Sequence, residues 1–387
     1  MMDNRWNAVR LADYCSKIGS GATPRGGETV YLESGISFIR SQNVYNGYFD
    51  SDGLAFLDED HAEQLKGVAV EPGDILLNIT GDSVARSCRA PDGLLPARVN
   101  QHVAIIRPRS EDFDSRFVSY FFISPFMQDT MLSLAGSGGT RKALTKEMIE
   151  RFEIPKPSLP VQESIADTLS AYDDLIENNQ RRMTLLEESA RQLYREWLVR
   201  LRFPGHEHTR IINGVPEGWE RVPLEDALVL QRGFDLPTQD RQEGNVPIYG
   251  STGIVGYHDK AKASAPGVVT GRSGTLGEVQ YVADDYWPLN TALWVKEFKR
   301  VTPLFALFLL REMDLKQYNG GASVPTLDRK SVHKIEITVP SNMLLSAFDE
   351  FATDVFAQIK NLNVQNQKLR AARDLLLPRL MSGEIAV

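Results

Sequence analysis

A chain of 387 residues, 42% hydrophobic and 24% charged, is long enough for two or three globular units with real cores, which excludes disorder, collagen-like repeats and mini-protein scaffolds. Its 43 Lys+Arg against 51 Asp+Glu give a formal charge of −8, which taken alone argues against a nucleic-acid binder. The longest apolar run, Leu304 to Leu310, is far short of the roughly 18–20 residues that cross a bilayer, and the start of the chain has no apolar stretch of signal type. A cytoplasmic protein without membrane contact is therefore expected. Cys15 and Cys88 are too few and too far apart for a disulfide framework or a four-thiolate zinc site, so free thiols are expected.

In chain order, Val9-Arg-Leu-Ala-Asp13 opens a first unit. Three polar stretches follow: Arg40-Ser-Gln-Asn-Val-Tyr45, Thr80-Gly-Asp-Ser-Val-Ala-Arg86 and Arg98-Val-Asn-Gln-His102. Then come the glycine-rich Ser137-Gly-Gly-Thr-Arg-Lys-Ala-Leu144 and a short apolar strand closed by proline, Arg151-Phe-Glu-Ile-Pro-Lys-Pro157. All of this recurs. Leu144, Glu153 and Pro157 are matched by Leu327, Glu336 and Pro340 at one offset of 183. Thr80-Gly81 pairs with Thr270-Gly271 and Asn100 with Asn290 at 190, and Val9 pairs with Val222 at 213. The shrinking offset describes two copies of one unit that differ most in their loops.

Each copy ends in a helical pattern. Ile165, Leu169, Tyr172, Ile176, Asn179, Met183, Leu186, Ala190, Leu193 and Trp197 form a heptad seam, and Phe348, Ala352, Val355, Ile359, Leu362, Asn366, Leu369, Arg373, Leu376 and Leu380 form a second one. Without an internal Gly or Pro before Pro378, each helix can run about 33 residues, or roughly 50 Å. An antiparallel register setting Asn179 against Asn366, Ile176 against Leu369 and Trp197 against Phe348 is expected. The fold class is thus α/β (mixed α+β). Two similar globular domains are separated by two long antiparallel coiled-coil helices, with an internal pseudo-twofold duplication. The expected boundaries are 1–157 and 204–340 for the domains, 158–203 for the first helix, and 341–387 for the second helix and tail. An internal dyad of this kind matches the strand symmetry of duplex DNA.

Catalytic signatures are missing: no Pro-Pro dipeptide of the adenine-methyltransferase type, no phosphate-binding Gly-x-x-x-x-Gly-Lys-Ser/Thr loop, and no nuclease-like spacing around Glu297-Phe-Lys299. His206 and His208 lack a third metal ligand and read as a solvated linker. What the chain does carry is Leu193-Tyr-Arg-Glu-Trp-Leu-Val-Arg-Leu-Arg-Phe-Pro-Gly-His-Glu207, Gly214-Val-Pro-Glu-Gly-Trp-Glu-Arg-Val-Pro-Leu224 and Leu375-Leu-Leu-Pro-Arg-Leu-Met-Ser-Gly-Glu-Ile385. In combination, and over essentially the whole chain, these resemble the specificity subunits of type I restriction-modification systems. The resemblance implies a non-catalytic, DNA-binding subunit with two target-recognition domains, each reading one half of a bipartite site in double-stranded DNA, and helices that act as a ruler. It also implies two modification (methyltransferase) subunits docked on the helices and restriction (translocase/endonuclease) subunits joining them. S-adenosylmethionine, ATP and Mg would then belong to those partners and no cofactor to this chain. A coiled-coil scaffold that has lost DNA reading is the alternative. As a ruler, the helices should lengthen the unread spacer by one or two base pairs when one turn of about 5.4 Å is inserted in both. Methylome mapping checks this.

Base reading needs donors and acceptors on strand-to-loop positions. The candidates are Arg40, Gln42, Asn43, Arg86, Arg98, Gln101 and His102 in the first copy, and Tyr249, Ser251, Thr252, Arg272, Ser273, Thr275 and Thr291 in the second. Asn100 and Asn290, shared by both copies, read as structural, and Arg141 and Lys142 read as phosphate contacts. Apolar residues off the seams, namely Leu175, Leu185, Tyr194, Leu198, Leu375 and Leu377, are candidates for the partner surface. Residues 1–160, 161–202, 203–340 and 341–387 carry −4, −2, −2 and 0, so no segment is basic and the electrostatic grip on DNA is expected from partners.

Overall fold

A computed structural model describes residues 6–136, 142–321 and 323–387. It divides into two compact units, one running to Glu177 and including Asn366–Val387, the other Asn178–Gln365. The division runs through both long helices, so each unit contains a segment of each.

The two units share one topology. In the first, an antiparallel sheet has the strand order Cys15–Ser20, Val103–Pro108, Ile75–Asn78, Ser87–Arg89. In the second, Leu228–Arg232, Ala292–Phe298, Gly267–Gly271 and Val279–Val282 take the same places. Both faces of the first sheet are covered. Ile75, Leu77, Ala104 and Ile106 pack under the helices Ser115–Ile123 and Pro125–Gly136, whereas Leu76, Val103 and Ile105 enter a second core with Ile39, Val44, Val99 and Cys88. Double coverage is why these strands read as continuous apolar runs rather than as an alternation. A parallel pair flanks each sheet, Ile36–Ile39 with Ala97–Val99 and Val246–Gly250 with Trp287–Pro288. A two-stranded ribbon closes each unit: Val9 pairs with Ile154, and Val222 with Ile337. These two pairs carry the offsets 213 and 183 read from the sequence.

Backbone hydrogen bonds correct one part of that alignment. Gly81 N–H donates to Lys142 O and Leu144 N–H to Ile79 O; in the second unit Gly274 N–H donates to Pro325 O and Leu327 N–H to Arg272 O. Bridges Thr80–Ala143 and Ser273–Thr326 complete the match. The structural counterpart of Thr80-Gly81 is therefore Ser273-Gly274, three residues beyond Thr270-Gly271. Both glycines adopt left-handed backbone, φ 74° and 86°, which the Thr-Gly match at 190 did not register. Asn100 and Asn290 are likewise one position out of register. Val103 N–H donates to Asn100 O, and the equivalent Ala292 N–H donates to Leu289 O.

The long helices span Leu159–Tyr194, continued by a π-turn at Arg195–Val199, and Asn342–Met381, which runs through Pro378. Most seam residues are inward: Ile165, Leu169, Met183, Ala190, Phe348, Ala352, Val355, Leu362 and Leu380 are buried. Within the first unit Asn366 Nδ2 donates to Ile176 O at 3.2 Å and Arg373 pairs with Asp173, so the two segments run antiparallel there. Within the second unit the ring contact between the two long helices at Phe348 is made by Tyr194, 5.8 Å away, one turn from the expected Trp197. A straight helix of 3.6 residues per turn drifts off a strict heptad, so the step after Ala190 is four residues and lands on Tyr194.

Among the titratable groups of the second unit, His333 makes stability depend on pH. Its Nε2 accepts Leu230 N–H at 3.0 Å. Burial, with Arg329 and Lys299 adding to it and Glu225 opposing, holds the imidazole below its usual pKa. The unfolded chain then binds this proton more readily than the folded one, so the contribution is complete above the unfolded pKa of about 6.5 and is lost as pH falls toward the folded value. Melting should shift down between pH 7.5 and 5.5, by a margin that shrinks in His333→Gln, which keeps an acceptor. Thermal scans at the two pH values check this.

Candidate nucleic-acid interface

In the first unit, three turns at one edge of the sheet converge. Ser41 and Gln42 follow the strand Ile36–Ile39, Thr80 and Gly81 follow Ile75–Asn78, and His102 precedes Val103–Pro108. With Tyr45, Asp82, Ser83 and Arg86 they line a concavity of about 490 Å³. His102 Nδ1 lies 2.7 Å from Thr80 Oγ1, and its backbone N–H donates to Asn100 Oδ1. Arg86 is placed by the left-handed Ala85, φ 73°, and its guanidinium lies over the Tyr45 ring at 4.8 Å. The lining thus presents hydroxyls, an amide, an imidazole, a guanidinium and one carboxylate, a donor and acceptor set of the kind that reads base edges.

Several predicted residues lie elsewhere. Asn43 is fully buried; its Nδ2 donates to Asp50 O and Asp52 O while its Oδ1 accepts Arg40 N–H, so it locks a turn and cannot reach a base. Arg40 donates to Gly53 O at 2.6 Å and lies over the Tyr31 ring. Arg98 is held by Ala62 O and Ala97 O. Both arginines brace their own backbone, and neither lines the concavity. Gln101 is exposed beside His102 but does not line the concavity. The Lys142 backbone runs beside Gly81 with its side chain exposed, and Arg141 lies outside the described residues.

The second unit builds the equivalent edge from different side chains. Asn100 N–H donates to Ile39 O as Leu289 N–H does to Tyr249 O, so Ser251 and Thr252 occupy the places of Ser41 and Gln42. By the same rule Thr291 replaces His102 and Ser273 replaces Thr80. Tyr249, the counterpart of buried Ile39, packs on Tyr286 in a core and is no reading residue. Ser251, Thr252, Ser273, Thr275 and Thr291 are half-buried or exposed. Arg272 takes the place of Ile79 and donates to Asn290 O at 3.3 Å. Arg86 and Arg272 are thus not counterparts.

A concavity of about 470 Å³ beside this edge is lined by Arg232, Arg272, Arg329 and Lys330 with Thr326 and Asp328. Four cations against Asp328 in the lining, with Asp235 paired to Arg232 at 3.3 Å, make it basic, although the segment's net charge is negative. Sequence reading passed over Arg232, Arg329 and Lys330 because charge summed over a segment hides where the fold gathers it. A signal existed: Asp328 follows Leu327 as Thr145 follows Leu144, and both side chains cap a short helix, at Lys330 and Met148 N–H respectively. That placed Arg329 and Lys330 in a helix's first turn beside the glycine-rich loop.

Among the partner-surface candidates, Leu175, Leu185 and Leu375 are 52%, 68% and 71% exposed. Three others turn inward. Tyr194 is buried among Phe305, Phe308 and Phe348, Leu377 is buried in the first unit's core, and Leu198 packs on the second unit's core. Each lies where its helix meets a globular core, and the heptad pattern alone does not reveal that second contact face. Cys15 and Cys88 are unpaired, and burial pushes both thiols up to about 12. No group of three or more His, Cys, Asp or Glu among the described residues is placed to hold a metal, and none of the described helices is long and apolar enough to cross a membrane.

Comparison with known proteins agrees with this architecture. The family model for the type I restriction modification DNA specificity domain matches twice, at residues 4–188 and 216–361. The type I restriction enzyme MjaIX specificity subunit of Methanocaldococcus jannaschii is 24% identical over 99% of this chain and 94% of its own length. The HindI specificity subunit of Haemophilus influenzae is 21% identical over 90% and 94%. The crystal structure of the type I restriction-modification S subunit from M. genitalium superposes with a TM-score of 0.59 at 17% identity, covering 98% of this chain and 96% of that one, and so shares the fold. The chain belongs to the type I restriction-modification DNA specificity family, with two specificity domains in one polypeptide.

Proposed function

We propose that this chain reads a bipartite DNA target for a type I restriction-modification enzyme, one half-site per unit, and itself catalyses nothing. The observation that supports this best is the duplicated sheet edge. Equivalent backbone bonds place the same three turns at this edge in both units, but Ser41, Gln42, Thr80 and His102, which line the first concavity, are Ser251, Thr252, Ser273 and Thr291 in the other. Equal backbones with unequal donors and acceptors are what two different half-sites require. Gln42, Arg86 and His102 read in the first unit and Arg272, Ser273 and Thr291 in the second. Lys142, Arg232, Arg329 and Lys330 hold phosphates. In this reading modification subunits place methyl groups on adenine using S-adenosylmethionine, and restriction subunits use ATP and Mg. Mapping modified adenines with and without this gene tests it: a split motif that vanishes with the gene supports the reading, and an unchanged methylome overturns it.

The modification subunits dock on the exposed leucines of the long helices in the same proposal. Leu175 and Leu185 offer apolar surface with no core of their own, which a partner would cover. Replacing both with serine should abolish co-purification with the modification subunit while circular dichroism and melting stay unchanged. Retained assembly would remove these residues from the interface.

A further inference from the structure

Hydrogen-bond reading does not explain the hairpin beside the first concavity. Its strands Val44–Tyr45 and Tyr48–Phe49 set Tyr45 directly across from Tyr48, and the two rings stack with centroids 4.9 Å apart and planes 11° from parallel. The Arg86 guanidinium lies over the same Tyr45 ring. Tyr45 and Arg86 line the concavity, whereas Tyr48 is 57% exposed. Two tyrosines and an arginine are thus assembled into a short stack that ends in an exposed ring beside a wall of donors. Exposing a flat aromatic face costs hydrophobic free energy, and the groups lining the neighbouring concavity, a guanidinium, an imidazole, hydroxyls, an amide and the Asp82 carboxylate, fit the donors and acceptors of base edges.

We propose that Tyr48 is a stacking platform for a nucleobase displaced from the duplex at the half-site read by the first unit, with Tyr45 and Arg86 holding its ring in place. This rests on the DNA-reading function proposed above. Chemistry on a base requires it to leave the duplex stack, and the disrupted step exposes base faces that an aromatic ring can cover. Base–aromatic stacking is indifferent to base identity, so Tyr48 adds affinity and fixes the distorted geometry while Gln42, Arg86 and His102 supply sequence. The second unit is built differently. After its Ser251-Thr252 turn the strand Gly253–His258 presents Ile254, Val255 and Tyr257, all exposed, and among the described residues no second ring or cation stacks on Tyr257. The stack of two tyrosines and an arginine is therefore a feature of the first unit, and base stacking is proposed for its half-site.

The test uses the complete complex with its modification subunits, the duplex target defined by methylome mapping, and 2-aminopurine placed singly along both half-sites. Wild-type complex should change the fluorescence of a probe in or next to the first half-site. Tyr48→Ala should lose that change and bind about tenfold or more weakly, Tyr48→Phe should keep both, and Tyr48→Leu should behave like alanine. Tyr48→Ala equal to wild type in affinity and fluorescence overturns the proposal. So does Tyr48→Leu equal to Tyr48→Phe, which would mean an apolar contact without stacking. Loss of modification subunits in Tyr48→Ala would overturn it in favour of a protein interface. A wild-type complex that does not distinguish its target from a scrambled duplex would instead sink the DNA-reading function itself. Tyr48 is exposed, so its replacement leaves the core intact, and an unchanged melting curve controls for misfolding.

Discussion

Alanine at Gly233 is expected to cost the second unit at least about 3 kcal/mol, with Gly21→Ala doing the same to the first. The demand is for space, not for conformational freedom. A Cβ at Gly233 would lie 2.2 Å from Leu289 O and 2.4 Å from Pro288 O; at Gly21 it would lie 2.1 Å from Val99 O and 2.3 Å from Asn100 O. Neither set of carbonyls is free to yield. Pro288 O accepts Phe234 N–H at 2.8 Å, Val99 O accepts Ala22 N–H at 3.1 Å, and both belong to strands already paired in parallel with a neighbour. Moving the backbone apart breaks those bonds and pulls the strand that ends at Ser20 or Arg232 away from the edge proposed to read DNA. At about 2–4 °C per kcal/mol, the melting temperature should fall by roughly 6–12 °C. Hydrogen exchange should show the loss of protection confined to the unit that carries the substitution. Gly19→Ala is the control: nothing lies within 4 Å of its Cβ position, and a strand alanine there should be neutral or slightly stabilising. A Gly233→Ala variant that melts with wild type would show that the crossing yields.

These glycines illustrate what the sequence discloses and what it hides. The duplication was legible because strand residues keep their spacing. Val9 with Ile154 and Val222 with Ile337 are real pairs, and the offset of 183 survives in the bonds that Lys142 O and Leu144 N–H make in one unit and Pro325 O and Leu327 N–H in the other. The alignment failed where a loop joins a strand. Thr80-Gly81 matched Thr270-Gly271 by composition, yet the left-handed backbone belongs at Gly274, and one turn inserted or removed shifts the register without changing residue types. Side-chain roles were less legible still. Arg40, Asn43 and Arg98 belong to the right residue types in the right stretches, but each satisfies a buried or turning backbone carbonyl first. Polarity alone cannot separate a side chain that serves its own loop from one that faces outward. Tyr249 fails for another reason, as the phase of its strand points it into the core that Ile39 fills in the first unit.

The basic concavity of the second unit leads to the other large effect, in binding rather than stability. Replacing Arg232, Arg329 and Lys330 together with alanine should weaken binding of the complex to any duplex, specific or not. It should also flatten the dependence of log affinity on log salt by about 0.9 for each phosphate left without its cation, or roughly 2.7 in all. These side chains line one hollow with Asp328, and Asp235 pairs with Arg232 at 3.3 Å, so cations still outnumber carboxylates there despite the chain's net charge of −8. On that outcome the division of labour with partner subunits would be incomplete, with part of the proposed grip built into this chain. Arg272 lines the same hollow but should respond differently. One hydrogen bond of its guanidinium, to Asn290 O, orients it, and the remaining donors are available to a base. Arg272→Ala should therefore cost about 1–3 kcal/mol on the target, leave non-specific binding nearly unchanged, and relax the second half-site at one position in the methylome. Titrations against target and scrambled duplex at several salt concentrations separate the two behaviours. If the triple variant lost only target binding, or Arg272→Ala weakened both duplexes equally, the assignment of grip and reading within this hollow would be reversed.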